Sequence, residues 1–319
     1  MSETVVVETV TKPAFLGEGP HWSVREQALY YVDIFNQNLH RYHPASQTHS
    51  TLHIEGGPVT LVVPHNISLN TFVVSVGRDL AAVTWPDTTK DCVVSSYNVL
   101  ASVDRHHSKN RFNDGKCDAN GRLWAGTMGD TDVPDNPNPS LGSLFLLADN
   151  NTAPTVLDKV SISNGLAWSE DNRTFYYVDT CEYRVEAFEC DFEKVKISKR
   201  RTVYDYRQEG LYPSFPDGMT IDTKGNLWVA SFGTGKIHCV NPTSGKLERW
   251  VEVPASNVTS VCWGGPSLDQ LYVTSTQKGL TKDQLAKQPH AGAVFRVTGL
   301  GAKGHPPMDS NVKLTTTRS

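Results

Sequence analysis

The sequence predicts an all-β protein, a six-bladed β-propeller whose blades are four-stranded antiparallel sheets around a central channel. Three observations support this fold. Short apolar segments recur six times, starting at residues 29, 72, 123, 175, 227 and 271. A turn rich in Gly, Asn and Asp precedes most of these segments, and helical periodicity is nearly absent. Strand-rich repeats of about this length are typical of propeller blades, which bury their faces by stacking around an axis.

The apolar segments themselves predict strands, because they are rich in aromatic and β-branched residues. In chain order they read LYYVDI, FVVSV, LWAGTM, FYYVDT, LWVAS and LYVTST. The stretch FPDGMTIDTKGNLWVAS, residues 215–231, shows one unit clearly, with a strand, a Thr-Lys-Gly-Asn turn and a second strand. A β-sandwich is the alternative architecture, and it would not explain the even spacing of the units.

The two ends of the chain are expected to close the ring. The segment TVVVETV (residues 4–10) has no unit of its own, and GAVFRVTGL (residues 292–300) ends the last unit. We expect these two segments to pair in one blade, which removes an open sheet edge. Residues 1–319 then form a single domain, with residues 1–11 as the closing strand and residues 305–319 as a polar, flexible tail.

Composition and charge narrow the classes of partner and the compartment. A formal net charge of −4 over 319 residues gives no electrostatic reason to expect nucleic acid or a membrane surface as a partner. The N-terminus is too polar for a signal peptide, and no apolar run has membrane-spanning length. The six cysteines contain no CxxC pair, which favours reduced thiols. We expect a cytoplasmic monomer that acts on a small molecule.

Polar residues recur at one register of the repeat. The innermost strand of each propeller blade runs along the channel, so equivalent positions at its start face the axis from every blade. Counting back 11 or 12 residues from the second residue of four apolar segments gives Glu18, Asn113, Asn164 and Asp217. Each has a glycine beside it or nearby, which permits close approach of the chain. The sequence therefore predicts a ring of carboxylates and carboxamides at one level of the channel.

Such a ring favours a divalent cation. Two carboxylates packed together without a partner would repel each other and lose their hydration. All-oxygen ligation suits Ca²⁺, Mg²⁺ or Mn²⁺. No histidine falls in this register, which disfavours a thermolysin-like zinc site, although Zn²⁺ itself stays open. The alternative is that these Asn and Asp residues only cap turns.

Four motifs carry a family resemblance. GEGPHW with Glu18, RFNDGK with Arg111 and Asn113, ISNGLAWS with Asn164, and PDGMTID with Asp217 occur in one order along the chain. In combination they resemble the signatures of the senescence-marker-protein (regucalcin), gluconolactonase and luciferin-regenerating enzyme family. The resemblance covers nearly the whole chain and implies a six-bladed propeller with one divalent metal ion in its channel.

The resemblance also implies roles for these residues. Glu18, Asn164 and Asp217 would be the direct metal ligands. Asn113 would contact the metal through water or the substrate, and Arg111 would bind substrate oxygens. Members of the family hydrolyse sugar lactones, some are described as calcium-binding proteins, and insect relatives are associated with luciferin recycling.

One segment departs from the family pattern. In regucalcin-like members a glutamate that helps to hold the sugar follows the GTM motif, whereas Thr131 stands at that place here. We therefore take Thr131 as a candidate substrate-binding residue, with Asp130 or Asp132 as possible substitutes, and sugar specificity stays open. The Pro/Asn-rich segment that follows, residues 133–142, is predicted to be a loop over the channel mouth.

The resulting hypothesis is a divalent-metal-dependent hydrolase of small lactones or esters. Water would attack a metal-polarised carbonyl, with Asp217 as the general base. The alternative is a calcium-binding regulatory protein without significant catalysis, for which Arg111 and Asn113 would be superfluous. A third possibility, an interaction scaffold, leaves the residues at the channel axis unexplained.

Overall fold

The computed structural model describes residues 4–129, 140–148 and 150–314. These residues form 25 β-strands in six sheets, with one short α-helix, α1 (Lys282–Lys287), and one 3-10 turn, Thr180–Glu182. The prediction of a six-bladed β-propeller is confirmed. Within the same ranges, no helix has the length and apolar character that crossing a membrane requires.

The blades follow one another along the chain, except that the first strand, β1 (Val6–Thr9), belongs to the last blade. Blade 1 contains β2 (Gly17–Ser23), β3 (Ala28–Asp33), β4 (Asn38–His43) and β5 (Thr48–Ile54). Blade 2 contains β6 (Val62–Pro64), β7 (Thr71–Val76), β8 (Asp79–Thr84) and, after the short β9 (Cys92–Val94), β10 (Asn98–Ser102). Blade 3 contains β11 (Arg111–Cys117), β12 (Leu123–Met128), β13 (Gly142–Leu146) and β14 (Thr155–Val160).

The second half of the ring repeats this arrangement. Blade 4 contains β15 (Ser163–Trp168), β16 (Thr174–Asp179), β17 (Arg184–Asp191) and β18 (Lys196–Asp205). Blade 5 contains β19 (Phe215–Ile221), β20 (Leu227–Phe232), β21 (Lys236–Asn241) and β22 (Lys246–Glu252). Blade 6 contains β23 (Val258–Gly264), β24 (Gln270–Ser275), β25 (Phe295–Thr298) and β1. The first strand of each blade is innermost, and β23 contacts β2 to complete the ring.

The predicted pairing of the two chain ends is present. Strand β1 is antiparallel to β25, with Val6 opposite Thr298 and Thr9 opposite Phe295. An ion pair between Glu8 and Arg296 lies across this pair of strands. The closing pair joins the first and last strands of the chain in blade 6, where β1 supplies the fourth strand.

Blade 1 departs from the four-stranded pattern. Strand β9 lies parallel to β5, with Leu52 opposite Cys92. The segment before β9 is held at this edge because Asp91 Oδ1 accepts a hydrogen bond from the Thr51 N–H at 2.8 Å. The fifth strand covers a backbone edge that would otherwise be open to another chain.

Aromatic side chains fill the spaces between blades. Trp124 of blade 3 packs on Phe175 of blade 4, with ring centroids 5.2 Å apart, and both are fully buried. Trp228 of blade 5 packs on Trp263 of blade 6 at 5.4 Å. Truncation of such a side chain to alanine typically costs about 3–5 kcal/mol of stability. The core of the molecule is thus distributed around the ring and not concentrated at one centre.

An aspartate organises the turn before the tryptophan in blade 5. Asp222 Oδ1 accepts hydrogen bonds from the N–H groups of Lys224 and Asn226, both at 2.9 Å. Its Oδ2 accepts a hydrogen bond from Trp228 Nε1 at 3.0 Å. One buried carboxylate therefore fixes the turn and the indole together. Asp118 and Trp124 repeat this arrangement in blade 3, at 2.9 Å.

The prediction that residues 305–319 form a flexible tail is wrong for residues 305–314. Ser310 and Val312 are buried, and His65 Nε2 lies 2.9 Å from the Val312 carbonyl oxygen. Asn311 Nδ2 donates to the Asn120 carbonyl at 2.9 Å, and His21 Nε2 lies 3.1 Å from Asp309 Oδ1. The segment is polar because its side chains bind blades 1, 2 and 3. Residues 315–319 lie outside the described residues.

Candidate metal and substrate site

The four side chains of the predicted register lie at the same end of the innermost strands. Glu18 is on β2, Asn113 on β11, Asn164 on β15 and Asp217 on β19, and all four are buried. The structure therefore brings them together, as the register of the repeats predicts. Their assignment as metal ligands or catalytic groups stays a prediction.

A β-bulge at this level directs the side chains toward the axis. Asn113 is the extra residue between the paired positions 112 and 114 of β11. In β15 and β19 the register shift spans Asn164 and Asp217, and in β2 it begins directly after Glu18. A bulge leaves its residue outside the backbone ladder and re-aims the side chain.

Glycines next to these residues make the bulges possible. Gly19 has φ = 55°, a left-handed conformation that side chains with a Cβ rarely adopt. At Gly218 an added Cβ would lie 2.4 Å from the Ser260 Cβ of blade 6, which no real contact permits. The glycines that the motifs share are thus required by backbone conformation and by close approach of neighbouring blades.

Three carboxyl groups are buried together in the channel. Burial, together with the negative charge of Asp114, raises the pKa of Glu18 to about 8. Burial raises the pKa of Asp217 well above its ordinary value, and the charges of Glu18 and Asp114 add to this effect. Asp217 Oδ1 is buried and has no hydrogen-bond partner among the described residues. Burial and the mutual repulsion of the carboxyl groups therefore outweigh the nearby positive charges of Arg111 and Lys116.

The two carboxamides are oriented by their hydrogen bonds. Asn164 Nδ2 donates to Thr180 Oγ1 at 2.7 Å, and this hydroxyl in turn donates to the Pro216 carbonyl at 3.0 Å. The Oδ1 atom of Asn164 therefore faces Asn113, whose Nδ2 donates to it at 3.1 Å. Asn164 thus turns its side-chain carbonyl oxygen, and not its amide nitrogen, toward the site.

Arg111 extends this network toward solvent. Its Nη1 atom donates to Asn113 Oδ1 at 2.8 Å and to the Phe112 carbonyl at 2.9 Å. Burial lowers the pKa of Arg111 to about 10, while the charge of Glu18 opposes the shift. The guanidinium thus lies beside the carboxyl cluster with donors left over for a ligand.

Two aspartates that the sequence reasoning missed hold the segments that lead into the site. Asp33 accepts hydrogen bonds from the N–H groups of Phe15 at 2.8 Å and Leu16 at 3.1 Å, just before Glu18. Asp179 accepts from Ser161 and Ile162, both at 3.0 Å, just before Asn164. The signal was present, because both aspartates end the same motif, YYVD.

A lysine below the site was also missed. Lys116 Nζ donates to the Met219 carbonyl at 2.6 Å, and its charge partly offsets the burial that raises the pKa of Asp114. Burial in turn lowers the pKa of Lys116. Both residues belong to the RFNDGK motif, from which only Arg111 and Asn113 were selected.

The residues present fit a hard divalent cation. Glu18, Asn164 and Asp217 offer oxygen donors, and the unpartnered Asp217 Oδ1 together with the mutual repulsion of the carboxyl groups indicates a missing positive charge. The described ranges contain no cluster of three His, Cys, Asp or Glu residues that could hold a metal ion. The proposed set is of a different kind, since one of its three donors is an amide oxygen. Thr131, with Asp130 and Asp132, lies outside the described residues.

The six blades and the buried polar groups at one end of the channel define a β-propeller with a small, oxygen-rich channel site. The family model described as the SMP-30/Gluconolactonase/LRE-like region matches residues 16–277. This chain belongs to that family.

Similar proteins agree in length and in fold. Regucalcin of Gallus gallus is 39% identical over 305 residues, which cover 95% of this chain and 98% of the relative. A solved luciferin-regenerating enzyme is 35% identical, with a TM-score of 0.91 over 97% of this chain and 100% of the other. A solved calcium-binding protein, regucalcin, of Agrobacterium tumefaciens shares the fold, with 24% identity and a TM-score of 0.84 over 97% of this chain and 98% of its own.

Proposed function

We propose that this protein is a divalent-metal-dependent hydrolase of small lactones or esters. The observation that carries the proposal is the buried Asp217 Oδ1, which has no partner in the described structure and lies in a cluster with Glu18 and Asp114. Buried carboxylates without counter-charge are costly, and they are retained where they serve a cation or a reaction. Membership of a family whose description includes gluconolactonase supports lactone hydrolysis.

Each residue of the site has a role in this proposal. Glu18, Asn164 and Asp217 hold one divalent ion, and their oxygen donors accept Ca²⁺, Mg²⁺, Mn²⁺ or Zn²⁺. When bound, the ion would polarise the substrate carbonyl, lower the pKa of a bound water and keep Glu18 and Asp217 ionised. Asn113 keeps the Asn164 oxygen turned toward the site through its 3.1 Å hydrogen bond.

Proton transfer and charge stabilisation fall to Asp217 and Arg111. The carboxylate of Asp217 accepts a proton from the attacking water as the water oxygen adds to the carbonyl carbon. The C–O bond of the lactone then breaks, and the departing alkoxide takes up the proton that Asp217 accepted, so that a hydroxy acid is formed and Asp217 is ionised again. Arg111 donates to the oxyanion that develops between these steps. Thr131 is proposed to contact the substrate.

A calcium-binding regulatory protein is the second candidate function. Relatives named regucalcin favour it, and one solved relative is described as a calcium-binding protein. A binding protein needs Glu18, Asn164 and Asp217 but has no use for a guanidinium held beside them. We place either function in a cytoplasmic monomer whose ligands are small molecules, with neither nucleic acid nor membrane as a partner.

One experiment separates the two functions. The full-length protein is stripped with a chelator, and Ca²⁺, Mg²⁺, Mn²⁺ and Zn²⁺ are added back separately while a panel of sugar, alkyl and aryl lactones is assayed. The hydrolase proposal expects no activity in the stripped protein and recovery with at least one ion. Calcium binding by calorimetry together with no hydrolysis under any condition would favour the regulatory protein. Undiminished hydrolysis after exhaustive chelation would overturn metal dependence.

A further inference from the structure

Two phenylalanines and two cations form a cluster at the channel mouth. This rim cluster consists of Phe15, Phe35, Arg111 and Lys278. Phe35 follows the end of β3 that pairs with Gly17 and Glu18 of β2, so it lies at the site end of the propeller. The Phe15 carbonyl accepts hydrogen bonds from Thr276 Oγ1 at 2.8 Å and the Gln277 N–H at 3.0 Å, which brings the segment containing Lys278 to the same place.

The aromatic rings of the rim cluster are open to solvent. Phe15 is 42% exposed and Phe35 is 38% exposed, and their ring centroids lie 6.3 Å apart in an edge-on arrangement. Exposed single apolar side chains are common, but paired rings beside a buried polar site offer a surface for a planar apolar group. A planar apolar ring would bury more apolar area against these rings than a polyhydroxylated ligand would.

The cations of the rim cluster converge on one ring. Lys278 Nζ lies 4.6 Å from the centroid of the Phe35 ring, and the Arg111 Cζ lies 5.7 Å from it. Burial lowers the pKa of Lys278, and the positive charge of Arg111 adds to this effect. Neither cation forms an ion pair with a carboxylate among the described residues. Arg111 already faces Glu18, so within the described part of the mouth Lys278 is the cation that an anionic group would neutralise.

The rim cluster is continuous with the reaction centre. Arg111 contacts Phe35 on one side and donates to Asn113 Oδ1 on the other, and Asn113 donates to Asn164 Oδ1. A ligand with its carbonyl beside Asp217 would thus extend past Arg111 to Phe35. This order of groups matches a molecule with a reactive carbonyl, a planar ring and an anionic substituent.

We propose that the substrates of this site are anionic lactones or esters that carry an aromatic or similarly planar apolar ring. The ring packs on Phe15 and Phe35, the anionic substituent pairs with Lys278, and Arg111 lies between this substituent and the scissile carbonyl. This inference rests on the proposed hydrolase function, and it replaces a neutral sugar lactone as the preferred substrate. Hydrolysis adds water across the lactone C–O bond and yields the hydroxy acid, with no further reactant.

The test compares four lactones with the metal-loaded, full-length protein: dihydrocoumarin, its carboxy derivative, δ-valerolactone and gluconolactone. We expect kcat/KM for carboxy-dihydrocoumarin to exceed that for dihydrocoumarin about tenfold, as one charge-assisted contact can supply. Lys278→Gln should remove most of this preference for the carboxylated lactone. Phe35→Leu should reduce the preference for aryl over alkyl lactone about fivefold, from lost ring contact.

A matched cation–ring pair elsewhere on the molecule provides the control. Lys236 Nζ lies 4.9 Å from the Trp250 ring on the outer strands of blade 5. Lys236→Gln and Trp250→Leu should leave all four kcat/KM values unchanged. Equal or higher kcat/KM for gluconolactone or for the uncharged aryl lactone would overturn the proposal. A preference that survives both Lys278→Gln and Phe35→Leu would do the same.

A binding experiment separates this inference from the hydrolase proposal. If none of the lactones is hydrolysed, the hydrolase proposal fails, and the rim cluster is tested with phenylacetate and its neutral analogue phenylethanol. Calorimetry should then show phenylacetate binding that weakens about tenfold in Lys278→Gln and Phe35→Leu but not in Lys236→Gln. Equal binding of the two probes, or no binding of either, would overturn the assignment of an aryl anion to this mouth.

Discussion

The side-chain amide of Asn113 donates a hydrogen bond to Asn164 Oδ1 at 3.1 Å, which joins blades 3 and 4 inside the channel. The same Nδ2 donates to the Ser163 carbonyl at 2.9 Å, and Asn113 Oδ1 accepts from Arg111. Asn113 is therefore the junction between the candidate ligand Asn164 and the candidate substrate-binding Arg111. Its geometry favours positioning over direct ligation.

Replacement of Asn113 with alanine is expected to lower kcat/KM by about 10- to 100-fold while one divalent ion still binds. The substitution removes two donated hydrogen bonds and one accepted hydrogen bond, so Asn164 and Arg111 lose their common support. This loss should raise the activation free energy by about 1–3 kcal/mol. Steady-state kinetics and calorimetric titration of the ion measure the two effects separately. Loss of ion binding together with activity would instead make Asn113 a ligand.

Replacement of Asp217 with asparagine is expected to abolish activity and ion retention but to raise the Tm of the chelated protein. Asparagine removes a buried ionisable group whose pKa is raised by burial and by Glu18. Removal of the buried charge and of its repulsion with Glu18 stabilises the ion-free fold. Differential scanning calorimetry with and without the ion measures both effects, the higher Tm of the chelated variant and the loss of its stabilisation by the ion. Activity comparable to that of the unaltered protein would refute Asp217 as general base.

The chelated protein should lose stability as the pH rises from about 5 to about 8. Glu18 has a folded-state pKa of about 8, raised above its ordinary 4.5, so the folded state binds a proton that the unfolded state releases in this interval. The free energy of unfolding therefore falls with pH, and the raised pKa of Asp217 adds to the fall. Urea titrations at several pH values measure the slope. An ion-loaded sample should lack this slope, because its carboxylates stay ionised.

Replacement of Asp33 with alanine should destabilise the protein by about 2–4 kcal/mol. The buried N–H of Leu16 and the N–H of Phe15 would each lose the hydrogen bond that the carboxylate accepts. The mouth should also be affected, because Phe15 belongs to the rim cluster. Asp191→Ala is the matched control, since Asp191 is an exposed aspartate that pairs with Lys194. We expect Asp191→Ala to change the free energy of unfolding by less than about 1 kcal/mol.

Truncation of the C-terminus should distinguish the two parts of the last segment. A chain that ends at residue 304 loses the buried Val312 and the contact between His65 and its carbonyl, and we expect its Tm to fall by several degrees. A chain that ends at residue 314 keeps these contacts and should retain its Tm. Equal Tm values for both truncations would restore the flexible-tail prediction for residues 305–314.

Much of the fold could be predicted because each blade repeats a local pattern of turn and strand. The same repetition placed Glu18, Asn113, Asn164 and Asp217 at one level, since an equal offset from the strand means an equal height in the channel. The contacts of Lys116 could not be predicted in this way. Its partner is the Met219 carbonyl, 103 residues away and on another blade, and no spacing within one repeat encodes such a contact.

The same limit explains the error at the C-terminus. Residues 305–314 are mostly polar or proline, and a segment of this kind is commonly frayed. Its order comes from His21, His65 and Asn120, which lie far away in the chain. Asp33 and Asp179 are a different case. Their shared YYVD motif was visible, but its function depends on backbone N–H groups, which have no signature in the sequence.

The β-bulges of the inner strands have a consequence for how this molecule could evolve. A residue in a bulge contributes little to the ladder of backbone hydrogen bonds, so its side chain can be exchanged while the sheet keeps its pairing. Asn113, Asn164 and Asp217 occupy such positions. New chemistry can therefore arise at the axis by single substitutions that the scaffold tolerates. Ion storage and hydrolysis would then be neighbouring states of one architecture, separated by a few side chains.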